Sequence, residues 1–430
     1  MVIVSLFIIL AVCMLFGVPI AFSLGISSFG SLLIWGKIPL RVMVQRMFTG
    51  LDSFTLMAIP FFMLAGELML EAGMLDNLVK FAEALVGRMR GALGHVNILA
   101  SMFFAGITGS ASADVAALGP IEMAMMKEAG YEVDYSAALT AASSTIGPII
   151  PPSIPMVVYA VAAGNVSIGG LFLAGFIPGI LLGVVMMIYH YYLSVKRNYP
   201  YRKTSISFRQ FLIIFKEAIL SLLMPAIILF GILGGVFTAT EASAVAVAYA
   251  FIVGLFVIKK LNFEKIRKAL LQSGLTTGMS LFLIATANIF SWILATQQVP
   301  QLATNFFLSV SNSPLVYLLL VNLLLLVVGC LMDNLAALVI FAPILAPIAT
   351  MFGINPLHFG IIMVVNLIVG LITPPVGLCL LMACTISKIP LERIVKQIWP
   401  FVLIEIGVLL LITYVPNLTL FLPRYFGYVR

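Results

Sequence analysis

The stretch SSTIGPIIPP, residues 143–152, runs on through Ser153 and Ile154 to Pro155 and decides the fold. It lies in an apolar region of membrane-spanning length, yet Pro148, Pro151, Pro152 and Pro155 each remove a backbone donor. Proline blocks the helical hydrogen bond and disfavours helix at the residue before it. Inside hydrocarbon, such a break persists only where protein or a water-filled cavity satisfies the freed carbonyls. A second copy reads NLIVGLITPP, residues 366–375. Proline-kinked packing helices would also carry prolines here. Two broken spans at matching places in a hydrophobic chain point instead to the binding site of a secondary transporter.

Working outward, composition sets the class. The chain has 430 residues, 62% of them hydrophobic and 9% charged, where ordinary globular domains carry roughly 25% charged residues. A span needs ~20 apolar residues, and roughly ten such stretches are present. The reading is an all-α polytopic membrane protein. The net charge of +7 falls in short loops between apolar segments and is no nucleic-acid signal. Cys13, Cys330, Cys379 and Cys384 lie in apolar stretches without metal-ligand spacing. Residues 1–16 lack a charged leading region and read as a retained span.

In chain order, residues 1–35 give two helices meeting near Gly17, and residues 37–46 a basic interfacial arm. Residues 54–70 span, carrying Glu67, and residues 76–90 suit an amphipathic surface helix. In residues 94–128 two apolar limbs flank the small and polar run Thr108 to Asp114, which predicts a re-entrant hairpin. Residues 135–165 are the first broken span, and the next helix ends in a basic linker, 196–210, that includes Arg202 and Lys203. Beyond it come two spans joined near Glu241, the basic stretch 259–268, a further span, and a second arm at 300–311. A second hairpin at 315–351, a second broken span at 359–385 and a last crossing complete the chain.

Subtracting 223 superposes the second half on the first without gaps: Gly329 falls on Gly106, Pro343 on Pro120, Gly370 on Gly147, and Pro374 and Pro375 on Pro151 and Pro152. Residues 1–195 and 211–430 therefore read as two repeats. Basic linkers belong in the cytoplasm, which makes the repeats inverted. The same assignment puts Lys37, Arg41 and Arg46 outside, against the charge rule.

Breaking a helix exposes carbonyls at one half-helix end and amides at the other. Carbonyls with Thr and Ser hydroxyls make a neutral oxygen cage that suits Na⁺, and amides facing a shared cavity suit an anion. No nucleotide-binding G-x-x-x-x-G-K-[ST] is present, so a gradient has to supply the energy. Intramembrane acids are functional candidates: Asp114 and Asp333 at the tips, Glu67, Glu241 and Glu405 in spans. An intramembrane enzyme fits poorly, because no H-E-x-x-H and no Ser/His pair appear and His95, His190 and His358 are scattered near span ends.

The stretches DSFTLMAIPFFMLAGELM (52–69), GITGSASADVAALGP (106–120), IIPPSIP (149–155), GVFTATEASAVA (235–246), MDNLAALVIFAPIL (332–345) and GLITPPVG (370–377) resemble the large membrane subunit of tripartite ATP-independent periplasmic (TRAP) transporters nearly end to end. The resemblance implies an elevator-type sodium symporter of the ion-transporter superfamily, in the bacterial inner membrane. It implies a small four-helix membrane subunit and a soluble periplasmic binding protein as partners, with an organic acid as cargo. Carried over by position, one sodium site would involve Thr108, Ser110, Gly147, Ile150 and Pro152. The other would involve Gly329, Gly370, Thr373 and Val376. The expected substrate contacts are Ser112, Asp114, Ser143, Ser144, Asp333, Asn334 and Asn366. The alternative is a stand-alone sodium-coupled divalent-anion symporter that needs no binding protein.

Overall fold

A computed structural model describes residues 1–164, 166–200 and 207–429; Arg202 and Lys203 of the basic linker lie outside them. Every regular element among the described residues is helical. The first half runs α1 (Val2–Leu15), α2 (Ile20–Trp35), α3 (Arg41–Leu51), α4 (Ala58–Glu71) and α5 (Met74–Val86). It continues with α6 (Ala92–Thr108), α7 (Ala111–Glu128), α8 (Val133–Ser143), α9 (Ile154–Ala163) and α10 (Ile168–Lys196). The second half runs α11 (Phe208–Leu233), α12 (Ala239–Ile252), α13 (Phe263–Thr296), α14 (Val299–Val310) and α15 (Pro314–Leu331). It ends with α16 (Asn334–Met351), α17 (Pro356–Gly370), α18 (Leu378–Ser387), α19 (Leu391–Tyr414) and α20 (Asn417–Tyr425). Eight stretches among the described residues are long and apolar enough to cross a membrane, and the chain is a multi-pass membrane protein.

Helix boundaries recur at the offset of 223. Shifted by it, Ala111–Glu128 lands on Asn334–Met351, and Val133 and Ile168 land on Pro356 and Leu391, the first residues of α17 and α19. Both proline pairs, Pro151–Pro152 and Pro374–Pro375, have cis peptide bonds. The correspondence fails at one place. In the first half α3 and α4 are separated by residues 52–57, which include a 3₁₀ turn, whereas α13 runs unbroken through the equivalent residues.

The halves interlock rather than stand apart. Helix α9 packs on α16, α18 on α7 and α8, and α8 on α19, and the Tyr159 hydroxyl donates to the Pro356 carbonyl at 3.2 Å. Around this bundle α13 packs against α2, α3 and α4, α12 against α4, and α11 against α5. The arms are amphipathic: α5 buries Met74, Leu78, Phe81 and Ala82 on one face.

Several expectations change. Glu241 is exposed and lies in the first turn of α12, where it accepts from the Thr238 amide at 2.8 Å and hydroxyl at 2.9 Å. It is half of a capping box that satisfies the free amides of a helix start, not an acid buried in a span. The stretch 259–268 is only partly a loop, since Lys265, Arg267 and Lys268 ride on the first turns of α13. Two of the three histidines are not scattered: the rings of His95 and His190, both fully buried, meet edge-on at 4.7 Å. His190 Nε2 donates to the Gly91 carbonyl at 2.8 Å, so Nδ1 accepts from the Tyr135 hydroxyl at 2.6 Å.

Candidate functional site

Both hairpin tips are helix starts. Ser110 caps α7, its hydroxyl accepting from the Ala113 amide at 3.5 Å. The residue 223 positions on is Asp333, which caps α16 by accepting from the Leu335 and Ala336 amides at 2.9 and 3.4 Å. A capping side chain takes up amides that the helix cannot pair. Each capping residue thus fixes its tip and stands at the positive end of a helix dipole.

Behind each tip lies a break. Between α8 and α9 the chain turns through Ser144–Ile146 as one 3₁₀ turn and then through residues 147–153. Ser153 restarts the helix, donating to the Pro148 carbonyl at 2.5 Å and accepting from the Met156 amide at 3.3 Å. The first tip presses on this segment: a methyl group on Gly109 would come 2.6 Å from the Pro152 carbonyl oxygen. In the second half, a methyl on Gly370 would collide with the Gly329 backbone. Hairpin and break can approach this closely only because both positions are glycine.

The tips open on one cavity of about 540 Å³, lined by Ser110, Ser112, Asp333, Asn334, Ile154 and Leu371, with Phe22, Met63, Thr276 and Ser280 opposite. That volume lies within the roughly 300–1,000 Å³ of small-molecule sites. A second cavity of about 490 Å³ shares Met63, Ser110, Ser112, Ile154 and Thr276 with it and extends to Glu67, Glu71 and Lys268.

Of the expected substrate contacts, Ser112, Asp333 and Asn334 line the first cavity; Asp114, Ser143, Ser144 and Asn366 do not. Those four are buried in helix packing. Ser143 Oγ donates to Asn97 Oδ1 at 2.7 Å, and Ser144 Oγ to the Ala141 carbonyl at 2.7 Å. Asn366 Nδ2 donates to Asn322 Oδ1 at 2.7 Å, tying α17 to α15. Asn97 Nδ2 in turn reaches Glu122 at 2.5 Å and Thr140 at 2.8 Å, and Asp114 is buried on the same helix as Glu122. This polar core behind the first tip joins side chains distant in sequence, and no spacing in the chain announces it. Glu405, one of the acids expected within a span, accepts from Thr145 Oγ1 at 2.9 Å and so links the first break to α19.

The residues expected to hold sodium divide between the two tip-and-break pairs. At the first, Thr108 is buried and its hydroxyl oxygen has no hydrogen-bond partner. A hydroxyl stranded beside a helix break fits an oxygen-coordinated cation. Ser110, Gly147, Ile150 and Pro152 surround that break, and a methyl on Gly147 would lie 3.7 Å from the Ser110 carbonyl. At the second, Thr373 Oγ1 donates to the Val369 carbonyl at 2.8 Å, which keeps its lone pairs available. Gly329 and Gly370 are buried there, while Val376 is exposed.

Two hairpin tips and two helix breaks enclosing one cavity define a helical membrane protein built like a secondary transporter. Comparison with known proteins makes this specific. The family described as "Tripartite ATP-independent periplasmic transporter, DctM component" matches residues 7–418, and the chain belongs to that family. It is 41% identical over 413 residues to the sialic acid TRAP transporter large permease protein SiaM of Vibrio cholerae, covering 96% of each chain. It is 42% identical over 405 residues to the C4-dicarboxylate TRAP transporter large permease protein DctM of Pseudomonas aeruginosa, covering 94% of each. The crystal structure of the Alcanivorax borkumensis YdaH transporter shares the fold, with a TM-score of 0.60 over 86% of each chain at 16% identity.

Proposed function

We propose that the chain is the large membrane subunit of a sodium-driven importer of an organic acid, working in the bacterial inner membrane with a small membrane subunit and a periplasmic binding protein. The observation that carries this reading is the single cavity onto which both tips open, each tip backed by a helix break. Carboxylate cargo is favoured by the helix N-terminus at Ser110, whose cap is neutral, and by the acids named for the two relatives. Na⁺ is the coupling ion that suits neutral hydroxyl and carbonyl oxygens at Thr108 and Thr373. The two repeats are inverted. The hairpins and broken helices move as one unit against α1–α5 and α11–α14, in the manner of an elevator.

The test is uptake of labelled sialic acid and succinate into proteoliposomes. Uptake is expected only with an inward sodium gradient and both partners present. Full uptake driven by protons in sodium-free buffer would overturn sodium coupling. Uptake without the binding protein would favour a stand-alone symporter.

A further inference from the structure

An anion crossing this protein needs a cation or converging donors at each stage. Among the described residues lining the two cavities, Lys268 is the one cation. It lines the second cavity, which shares Ser110 and Ser112 of the first tip with the first cavity but not Asp333 or Asn334 of the second. Its Nζ sits 2.6 Å from Glu71 Oε1, with the lysine side chain 73% and the glutamate side chain 16% exposed. Lys265 Nζ donates to the Glu71 backbone carbonyl at 3.0 Å and holds the end of α4 in place.

Helix α13 connects this ion pair to the first cavity. Lys268, Gln272 and Thr276 line the second cavity, and Thr276 and Ser280 line the first. Spaced four apart, they form one polar stripe along the helix. At 1.5 Å per residue the stripe is about 18 Å long. The hydroxyls of Thr276 and Ser280 donate to the carbonyls of Gln272 and Thr276 at 2.9 and 3.0 Å, which leaves their oxygen lone pairs facing the stripe.

We propose that Lys268 is a second carboxylate subsite, at which the cargo's carboxylate replaces Glu71 in the ion pair as it passes between the first cavity and the basic side of the protein. Water screens the exposed lysine end of the pair, and an arriving carboxylate offers Lys268 the same charge-assisted contact that Glu71 gives up. Glu67 also lines this cavity, one turn before Glu71. Its negative charge disfavours prolonged occupancy by an anion, as a transit site requires. The proposal rests on the organic-acid reading above.

The test uses the whole permease, with its partners, in a cysteine-free background. Lys268→Cys is reconstituted, and sodium-driven uptake of labelled succinate and sialic acid is measured before and after thiol modification. The expected result is at least a fivefold lower maximal rate with an unchanged half-saturating concentration of binding protein. Modification with the ethylammonium methanethiosulfonate should restore the rate, and the ethylsulfonate reagent should not. Succinate at millimolar concentration on the Lys268 side should slow modification. Because the charge is restored after folding, rescue separates loss of charge from misfolding. The subsite is overturned if the unmodified variant transports at the parent rate, if both reagents act alike, or if succinate gives no protection. If the cysteine-free parent takes up neither acid under a sodium gradient, the organic-acid reading falls and the subsite with it.

Discussion

At the scale of single residues, Thr373 is the clearest candidate ligand, because its only hydrogen to give is already bonded to the Val369 carbonyl. Thr373→Ala should raise the half-saturating sodium concentration while leaving the protein assembled. Losing one oxygen of a small set costs on the order of 1–3 kcal/mol, which corresponds to roughly a thirtyfold shift at the middle of that range. A sodium titration of uptake on monodisperse protein reads it, and an unchanged midpoint would assign the hydroxyl to packing. Gly370 and Gly329 give a second prediction from their unequal surroundings. An added methyl at Gly370 overlaps the Gly329 backbone, whereas one at Gly329 stays 3.2 Å from the Gly370 Cα. Gly370→Ala should therefore destabilise by the ~1–3 kcal/mol of overpacking, and Gly329→Ala by less. Thermal melting of both variants in detergent checks the order. These glycines and the neighbouring prolines were legible in the sequence, because each marks a place where backbone geometry excludes ordinary residues. Asn97 and Glu122 were not, and Glu405 was legible as an acid in a span but not as the partner of Thr145, since these contacts join residues 25 to 260 positions apart.

At the scale of elements, the arms are what a moving unit would hang from. The Arg46 guanidinium of α3 sits 5.1 Å from the centre of the Trp292 ring on α13. A cation over an aromatic face is stabilised without a counter-charge, which would account for one basic residue on an arm that the inverted-repeat assignment puts outside, against the charge rule. Across the boundary between hairpin and scaffold, Ser291 Oγ on α13 donates to the Val339 carbonyl on α16 at 3.2 Å. Disulfide formation between Ser291→Cys and Val339→Cys, in a cysteine-free background, should stop transport, and reducing the bond should restore it. Turnover at the unlocked rate with the bond intact would mean that the hairpin does not travel against α13. Where the sequence expects hairpins at 94–128 and 315–351, the structure has the helix pairs α6–α7 and α15–α16. Sequence periodicity missed α20, a nine-residue helix far shorter than a span, and the π-helical turn Val253–Val257 that extends α12. Neither leaves a mark in hydrophobic spacing.

At the scale of the whole molecule, the two halves share a ground plan but differ in stiffness. In the first half, α3 and α4 are separate rods with a joint at residues 52–57. In the second, the corresponding length is the single helix α13, 34 residues or about 51 Å at 1.5 Å per residue, well beyond the ~30 Å hydrocarbon core. One half can flex where the other has to tilt as a beam. A carrier assembled from two mechanically identical halves would have end states related by symmetry and equal in energy. On the elevator proposal this one would not: bending would fall on one side and tilting on the other, so the empty carrier would favour one orientation. Thickening or thinning the surrounding bilayer would then act on the beam more than on the joint, and would move that balance in one direction.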